Sequence, residues 1–169
     1  MPVPDSNYVR KQITNSLITM MKSEAFENIT VTRLVNHAQV GRASFYRHFT
    51  DTKDVVYQYL KKLTDQWRSV YDETPEDHRM ALLLNHFYNN KDFYLAMYHA
   101  HLSDMLRESI QEAWRLSEQK DNKVAYLIAW YAGAAIGWIE EWIKRGMVET
   151  PKEMIDFLKK ITENQPQKA

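Results

Sequence analysis

The sequence predicts an all-α protein. Three observations carry that reading. Glycine and proline are scarce, 4 and 5 among 169 residues, so the chain has few places to turn sharply. Apolar residues recur at three- and four-residue intervals along most of its length, the period of a helix with one buried stripe. No run alternates apolar and polar residues as a half-buried strand does. Hydrophobic residues make up 44% of the chain, enough to build a real core.

Residues 1–6 read as a frayed tail. From Tyr8, the stripe Val9, Ile13, Leu17, Ile18, Met20 and Met21 predicts a helix ending near Glu24, and "ENIT" breaks it. Thr30 is a good N-cap for a short helix over Val31–Ala38, because its hydroxyl can accept a free N–H of the first turn. A turn at Gln39–Gly41 leads to a third helix from Arg42 to Phe49. "TDTKD" carries a capping signal for a long helix from about Thr52 to Tyr71, with Val55, Val56, Tyr59, Leu60, Leu63 and Trp67 on one face. "DETPED" is the clearest break, with Pro75 suited to the first turn of a new helix. Two helices hinged at Asn89–Asn90 come next, then one from Ser103 to about Gln119. A largely apolar helix from Lys123 to Arg145 stops at Gly146. The last helix has Thr150 as cap and Pro151 at its first position, and residues 163–169 read as a disordered tail. The domain reading is a head at 1–50 and a helical body at 51–169, with the helix from Thr52 as connector.

The zero net charge hides an asymmetry. Residues 1–64 carry a net +4 and the remainder −4. Basic character in the head is what a nucleic-acid reader with a separate body shows. Cysteine is absent, which excludes disulfides and thiolate-bound metals and fits a reducing cytosol. No apolar leader stands at the N-terminus. The most apolar stretch, Val124 to Ile139, is shorter than the roughly 20 residues a membrane span needs. The expected location is the cytoplasm, with no membrane partner.

"VGRASFYRHF", residues 40–49, concentrates the chemistry of the head. Two short helices joined by a turn of three or four residues form a helix-turn-helix, whose second helix enters the major groove. Helical spacing turns Leu34, Val35, Ala38, Val40, Phe45 and Phe49 inward. It leaves Arg42, Ala43, Ser44, Tyr46, Arg47 and His48 outward. Arginine pairs with guanine or neutralises phosphate, and serine, tyrosine and histidine hydrogen-bond phosphate oxygens. The rival reading is an amphipathic helix with a merely wet polar face.

The stretch "ITVTRLVNHAQVGRASFYRHFTDTKDVVYQYL" resembles the DNA-binding domain of the TetR family of transcriptional regulators. The matching positions are Thr30–Val31, Phe45–Tyr46, Phe49 and Lys53, within a similarity spanning roughly residues 8–60. The resemblance implies phosphate contacts from Thr30, Tyr46, His48 and Lys53. It implies that Arg42, Ala43, Ser44 and Arg47 face base edges, with Arg33 a further candidate. Gln39 departs from the family, which usually has glycine in the turn. A non-glycine residue there costs about 1–2 kcal/mol, so a slightly different turn is expected. "WYAGAAIGWIEEWIKRGMVETPKEM" resembles the C-terminal segment of small TetR-type regulators, the group that includes a dihydroxyacetone kinase activator.

The family's body dimerises and receives ligands. The helix at 123–145 is apolar nearly all round and needs cover beyond its own chain. A second copy supplies it, giving an expected homodimer interface at Gly133, Gly137, Trp138, Trp142, Met154, Ile155 and Leu158. A twofold dimer also suits a pseudo-palindromic DNA operator. Candidate effector-pocket residues are Trp67, Tyr71, Phe93, Tyr94, Met97, Tyr98, Met105, Trp114, Tyr126 and Trp130, although aromatic stripes at helical spacing are more often core. His99 and His101 are two apart and point to different helix faces, so no metal site is expected. No phosphate loop, nucleophile elbow or zinc motif is present, and neither enzyme activity nor a cofactor is expected. The function read from the sequence is a DNA-binding regulator, a repressor by default, modulated by a small-molecule or protein effector. The alternative is an activator or interaction module acting through a partner protein.

Overall fold

The computed structural model describes residues 6–113 and 118–163. Among these there are nine α-helices and no strand: α1 Ser6–Met21, α2 Val31–His37, α3 Arg42–Tyr46, α4 Thr52–Tyr71, α5 Arg79–Asn89, α6 Lys91–His99, α7 Ser103–Ala113, α8 Asn122–Lys144 and α9 Pro151–Glu163. Short 3-10 turns at Phe26–Asn28 and Glu76–His78 lead into α2 and α5. The all-α class is as the sequence predicts. Two boundaries differ: α1 ends at Met21, and α3 ends at Tyr46 rather than Phe49. α7 is described to Ala113, and part of its expected run to Gln119 lies outside the described residues. The tails at 1–5 and 164–169, and Trp114, lie outside the described residues.

Side-chain caps start the helices where the sequence places them. The Thr30 hydroxyl accepts from Arg33 N at 3.3 Å, and Asp51 Oδ1 accepts from Asp54 N at 2.8 Å. Asp121 Oδ1 accepts from Lys123 N at 2.8 Å and Val124 N at 3.1 Å. At α9, Glu153 N donates to Thr150 Oγ1 at 3.3 Å while Thr150 N donates to Glu153 Oε2 at 2.8 Å, a reciprocal capping box around Pro151. The bonds that the Glu153 carboxylate accepts from Thr150 N and, at 2.7 Å, from Thr150 Oγ1 hold it below its ordinary pKa.

Three helices stop on one device. The residue after the C-cap turns left-handed, and the next N–H reaches back five residues. Gly146 does this after α8, with φ +84° and Met147 N on the Trp142 carbonyl at 2.9 Å. His101 does it after α6, with φ +58° and Leu102 N on the Met97 carbonyl at 2.9 Å. Gln39 does it after α2, with φ +54° and Val40 N on the Val35 carbonyl at 3.0 Å. The turn therefore keeps the left-handed conformation that glycine would favour. This chain carries the strain in Gln39 instead of reshaping the turn.

One apolar cluster joins head and body. It runs from Val9, Ile13 and Leu17 of α1 through Leu34, Phe45 and Phe49 to Leu60, Trp67, Phe93, Ile139 and Met147. α1 packs on α2, α3, α4 and α6, and α4 continues onto α5 and α7. Lys22 Nζ meets Asp92 at 2.8 Å, and the His99 Nδ1–H donates to the Met21 carbonyl at 3.0 Å, so α6 grips the end of α1.

Candidate nucleic-acid interface

α3 is five residues long, and a helix that short cannot hold itself. Phe45 anchors it, fully buried among the residues of the head. Leu34, Val35, Ala38 and Phe49 are buried beside it, and Val40 is half-buried. The opposite face carries Arg42, Ala43, Tyr46 and Arg47, all exposed, with Ser44 and His48 half-exposed.

Two pairs organise that face. The Arg42 guanidinium lies 5.6 Å from the centre of the Tyr46 ring, and its Nη2 donates to the Tyr46 hydroxyl at 3.3 Å. The edge of Tyr46 is held by Phe45, with ring centres 5.3 Å apart and planes at 89°. Arg47 Nη2 donates to Ser44 Oγ at 3.0 Å. Each arginine is thus held close to the helix by a neighbour that can itself donate to an anion. Ala43 adds no bulk between them, so another molecule can approach the helix closely. The His48 ring has its pKa lowered by burial and by the Arg10 and Arg47 charges, which favours the neutral, hydrogen-bonding form.

The remaining candidates frame α3. Thr30 is exposed at the start of α2, and Lys53 is exposed on the first turn of α4. The Thr30 oxygen accepts the cap bond, which leaves its O–H free to donate elsewhere. Arg33 is placed differently. Its Nη1 donates to Glu24 Oε2 at 2.5 Å and to the Asn28 carbonyl at 2.7 Å, and its Nη2 to Glu24 Oε1 at 3.2 Å. A guanidinium engaged this way braces the α1–α2 connection, and its charge is already matched.

The body separates the ten pocket candidates. Phe93, Tyr94 and Met97 are core residues, each at most 3% exposed. Trp67 and Tyr71 line an open groove of about 670 Å³ with Arg79, Met80, Ile128 and Tyr131. Met105 lies across a cleft from Lys61 and Arg68. Tyr98, Tyr126 and Trp130 are exposed elsewhere. Inside the body, a gap of about 20 Å³ lined by Trp67, His86, Tyr94 and Leu106 has room for a single water. The His86 Nε2 and Tyr94 hydroxyl are 2.7 Å apart there. Burial lowers the His86 pKa to about 4 and raises that of Tyr94.

α8 buries Ala132, Ala135, Ile136, Ile139, Trp142 and Ile143 against its own chain. Its other face is apolar yet exposed: Tyr126 at 71%, Trp130 at 66%, Leu127 and Tyr131 each at 55%. Gly133 and Gly137 lie on that face, and a Cβ built on either meets nothing within 4 Å. Phe157 and Ile161 of α9 are also exposed. Of the expected interface residues, Trp138, Ile155 and Leu158 are half-exposed. Trp142 and Met154 are buried within the subunit, Trp142 stacked on Tyr88 with ring centres 6.1 Å apart.

The model of the TetR_C_8 family, described as "Transcriptional regulator C-terminal region", matches residues 73–164. The chain belongs to the TetR family of transcriptional regulators. Solved structures share the fold. Lin0861 from Listeria innocua is 16% identical, with a TM-score of 0.68 over 90% of each chain. A TetR transcriptional regulator from Streptococcus agalactiae is 17% identical, with a TM-score of 0.65 over 90% of this chain and 92% of that one. The dihydroxyacetone kinase operon activator DhaS is 15% identical, with a TM-score of 0.57 over 93% of this chain and 95% of that one. No curated protein matches the sequence.

Two residues of this TetR-family chain escape a reading by sequence. Arg10 of α1 places its guanidinium 5.6 Å from the centre of the Phe49 ring and donates to Gln58 Oε1 at 2.8 Å. Gln58 of α4 donates from Nε2 to the His48 carbonyl at 3.1 Å. They stand 48 positions apart, and polar residues on amphipathic helices carry no signal of such a partnership. Among the described residues, no helix is long and apolar enough to cross a membrane.

Proposed function

We propose that this chain is a sequence-specific DNA-binding regulator that acts as a homodimer. Residues 1–50 read a pseudo-palindromic operator, and residues 51–169 dimerise and receive an effector. The outward face of α3 is the observation that carries the reading. Arg42 and Tyr46, and Arg47 and Ser44, form paired donors on a helix whose inward side is locked by Phe45. Arg42, Ala43, Ser44 and Arg47 meet base edges, whereas Thr30, Tyr46, His48 and Lys53 meet phosphates. Arg33 braces the α1–α2 connection instead.

The α8–α9 face supports the dimer. It exposes four large apolar side chains of α8 around two glycines that the subunit itself does not require. A second α8 crossing at Gly133 and Gly137 would cover them. It would place two recognition helices on one side, about 34–36 Å apart or a multiple of that. An effector that binds one spacing of the heads better than another shifts operator affinity by that difference. The groove at Trp67, Tyr71 and Arg79, of about 670 Å³, is a place in the body for a small one. Repression is the default output, exerted in the cytoplasm by occupancy of DNA, without catalysis or cofactor. Activation through a partner protein is the second reading, favoured by the likeness to an operon activator.

Sedimentation velocity with a duplex from the chain's own upstream intergenic DNA tests this. Two chains per duplex, or a multiple of two, are expected. One chain per duplex contradicts the dimer, and no complex at any protein concentration contradicts the regulator.

A further inference from the structure

We propose that Gln58 is a positioning residue for DNA recognition, fixing the C-terminal end of α3 against α1 and α4 so that its outward face meets the groove in one register. The inference rests on the assignment of α3 as the DNA-reading helix. α3 is held at three places. The Gln39–Gly41 turn fixes its start and Phe45 fixes its middle. α3 closes with the His48 and Phe49 N–H groups on the Phe45 carbonyl, at 2.9 and 3.0 Å, and the His48 carbonyl lies past that last turn.

Gln58 supplies what is missing. Its Nε2 donates to the His48 carbonyl at 3.1 Å and to Asp54 Oδ2 at 3.0 Å. Its Oε1 accepts from Arg10 Nη1 at 2.8 Å. One carboxamide, half-buried on α4, therefore ties α1, the end of α3 and the start of α4 to one point. Asp54 tightens the same point, because its Oδ2 also accepts from Thr50 N at 2.8 Å. Arg10 adds its guanidinium beside the Phe49 ring.

A purely structural role fits these groups less well. They are partly open to solvent, so water can replace a lost bond at modest cost. Water cannot hold the His48 carbonyl at a fixed point on α4. Base-edge contacts need that fixed point, because they are directional and paired. Phosphate contacts from arginine and lysine tolerate a small shift, because they position the protein without reading sequence. Loss of the tie therefore acts on specific binding and spares non-specific binding.

The experiment uses the full chain, an operator duplex and a scrambled duplex, titrated across a salt series. Gln58→Leu keeps an apolar stem of similar bulk and removes every polar contact. Gln58→Glu keeps an acceptor for Arg10 and removes both donors. In both variants the ratio of operator to scrambled affinity should fall roughly ten-fold, the size expected for two modest hydrogen bonds. In Gln58→Leu, which leaves the charge unchanged, affinity for the scrambled duplex and the salt slope should stay at wild-type values. Amide exchange at residues 47–50 should quicken in the free protein. An unchanged ratio in both variants overturns the proposal. So does a parallel fall of both affinities with the melting temperature, which marks a merely structural residue. Wild-type protein that binds neither duplex removes the DNA-reading assignment itself, and this proposal with it.

Discussion

Gly137→Leu separates the folding of the subunit from the pairing of two subunits. Gly137 sits mid-helix on the exposed face of α8, and a Cβ there meets nothing within 4 Å. In an isolated subunit, leucine should raise helix propensity and stabilise α8 by up to about 1 kcal/mol. In a dimer that closes over this face, the new side chain meets the partner's helix. Overpacking of that kind costs about 1–3 kcal/mol per site. Twofold symmetry presents the site twice, so the dimer loses roughly 2–6 kcal/mol, at least about a 30-fold rise in the dissociation constant. Sedimentation equilibrium reads the association, and circular dichroism at low concentration reads the subunit. The expected outcome is a helical, folded chain that no longer pairs. Unchanged association together with a higher melting temperature would refute the reasoning, because it would make Gly137 a plain solvent-facing glycine.

Arg33→Ala should lower stability by about 1 kcal/mol, through loss of its charge-assisted bonds to Glu24 and Asn28, and leave the salt slope of DNA binding unchanged. A slope reduced by about one unit would make Arg33 a phosphate contact. Gln39→Gly should relieve the left-handed strain at φ +54° and raise stability by up to about 1 kcal/mol, read as a higher denaturant midpoint at constant m-value. A lower midpoint would show that Gln39 contributes more than it strains. His86 is held neutral by burial, with its pKa lowered to about 4. Its unfolded form binds a proton below about pH 6.5. Stability is therefore complete above pH 6.5 and declines toward pH 4, by about 3 kcal/mol at most. His86→Gln, which can still bond Tyr94, should flatten that decline in pH-dependent urea titrations, and an unchanged profile would clear His86 of it.

Much of the fold is legible because helices announce themselves locally. α4 is read at its observed bounds and α8 within a residue of them, since the capping signal in "TDTKD" and the stop at Gly146 are marks that sequence alone identifies. α3 is overrun by three residues, because Phe49 keeps helical spacing with Phe45 and its N–H still bonds the Phe45 carbonyl at 3.0 Å, although the helix takes its C-cap at Arg47. The left-handed stop at His101 is invisible, since no glycine marks it. Periodicity separates buried from exposed, but it does not say whose surface does the burying. Trp142 and Met154 are covered by their own chain, whereas Trp130 and Gly137 are not, and all four lie on apolar stripes. The outward face of α3 is readable residue by residue. The brace that ties Arg33 and the knot around Gln58 are not, because they depend on partners distant in sequence.

The central claim is that the face of α3 reads DNA. Fluorescence anisotropy of a labelled upstream intergenic duplex, titrated with wild-type, Tyr46→Ala and Arg42→Ala protein against a scrambled control, tests it most directly. Wild-type binding should be salt-sensitive and prefer the upstream duplex. Tyr46→Ala should weaken both duplexes, and Arg42→Ala should cost about 1–3 kcal/mol and relax the preference. Wild-type binding that neither substitution alters would contradict the claim.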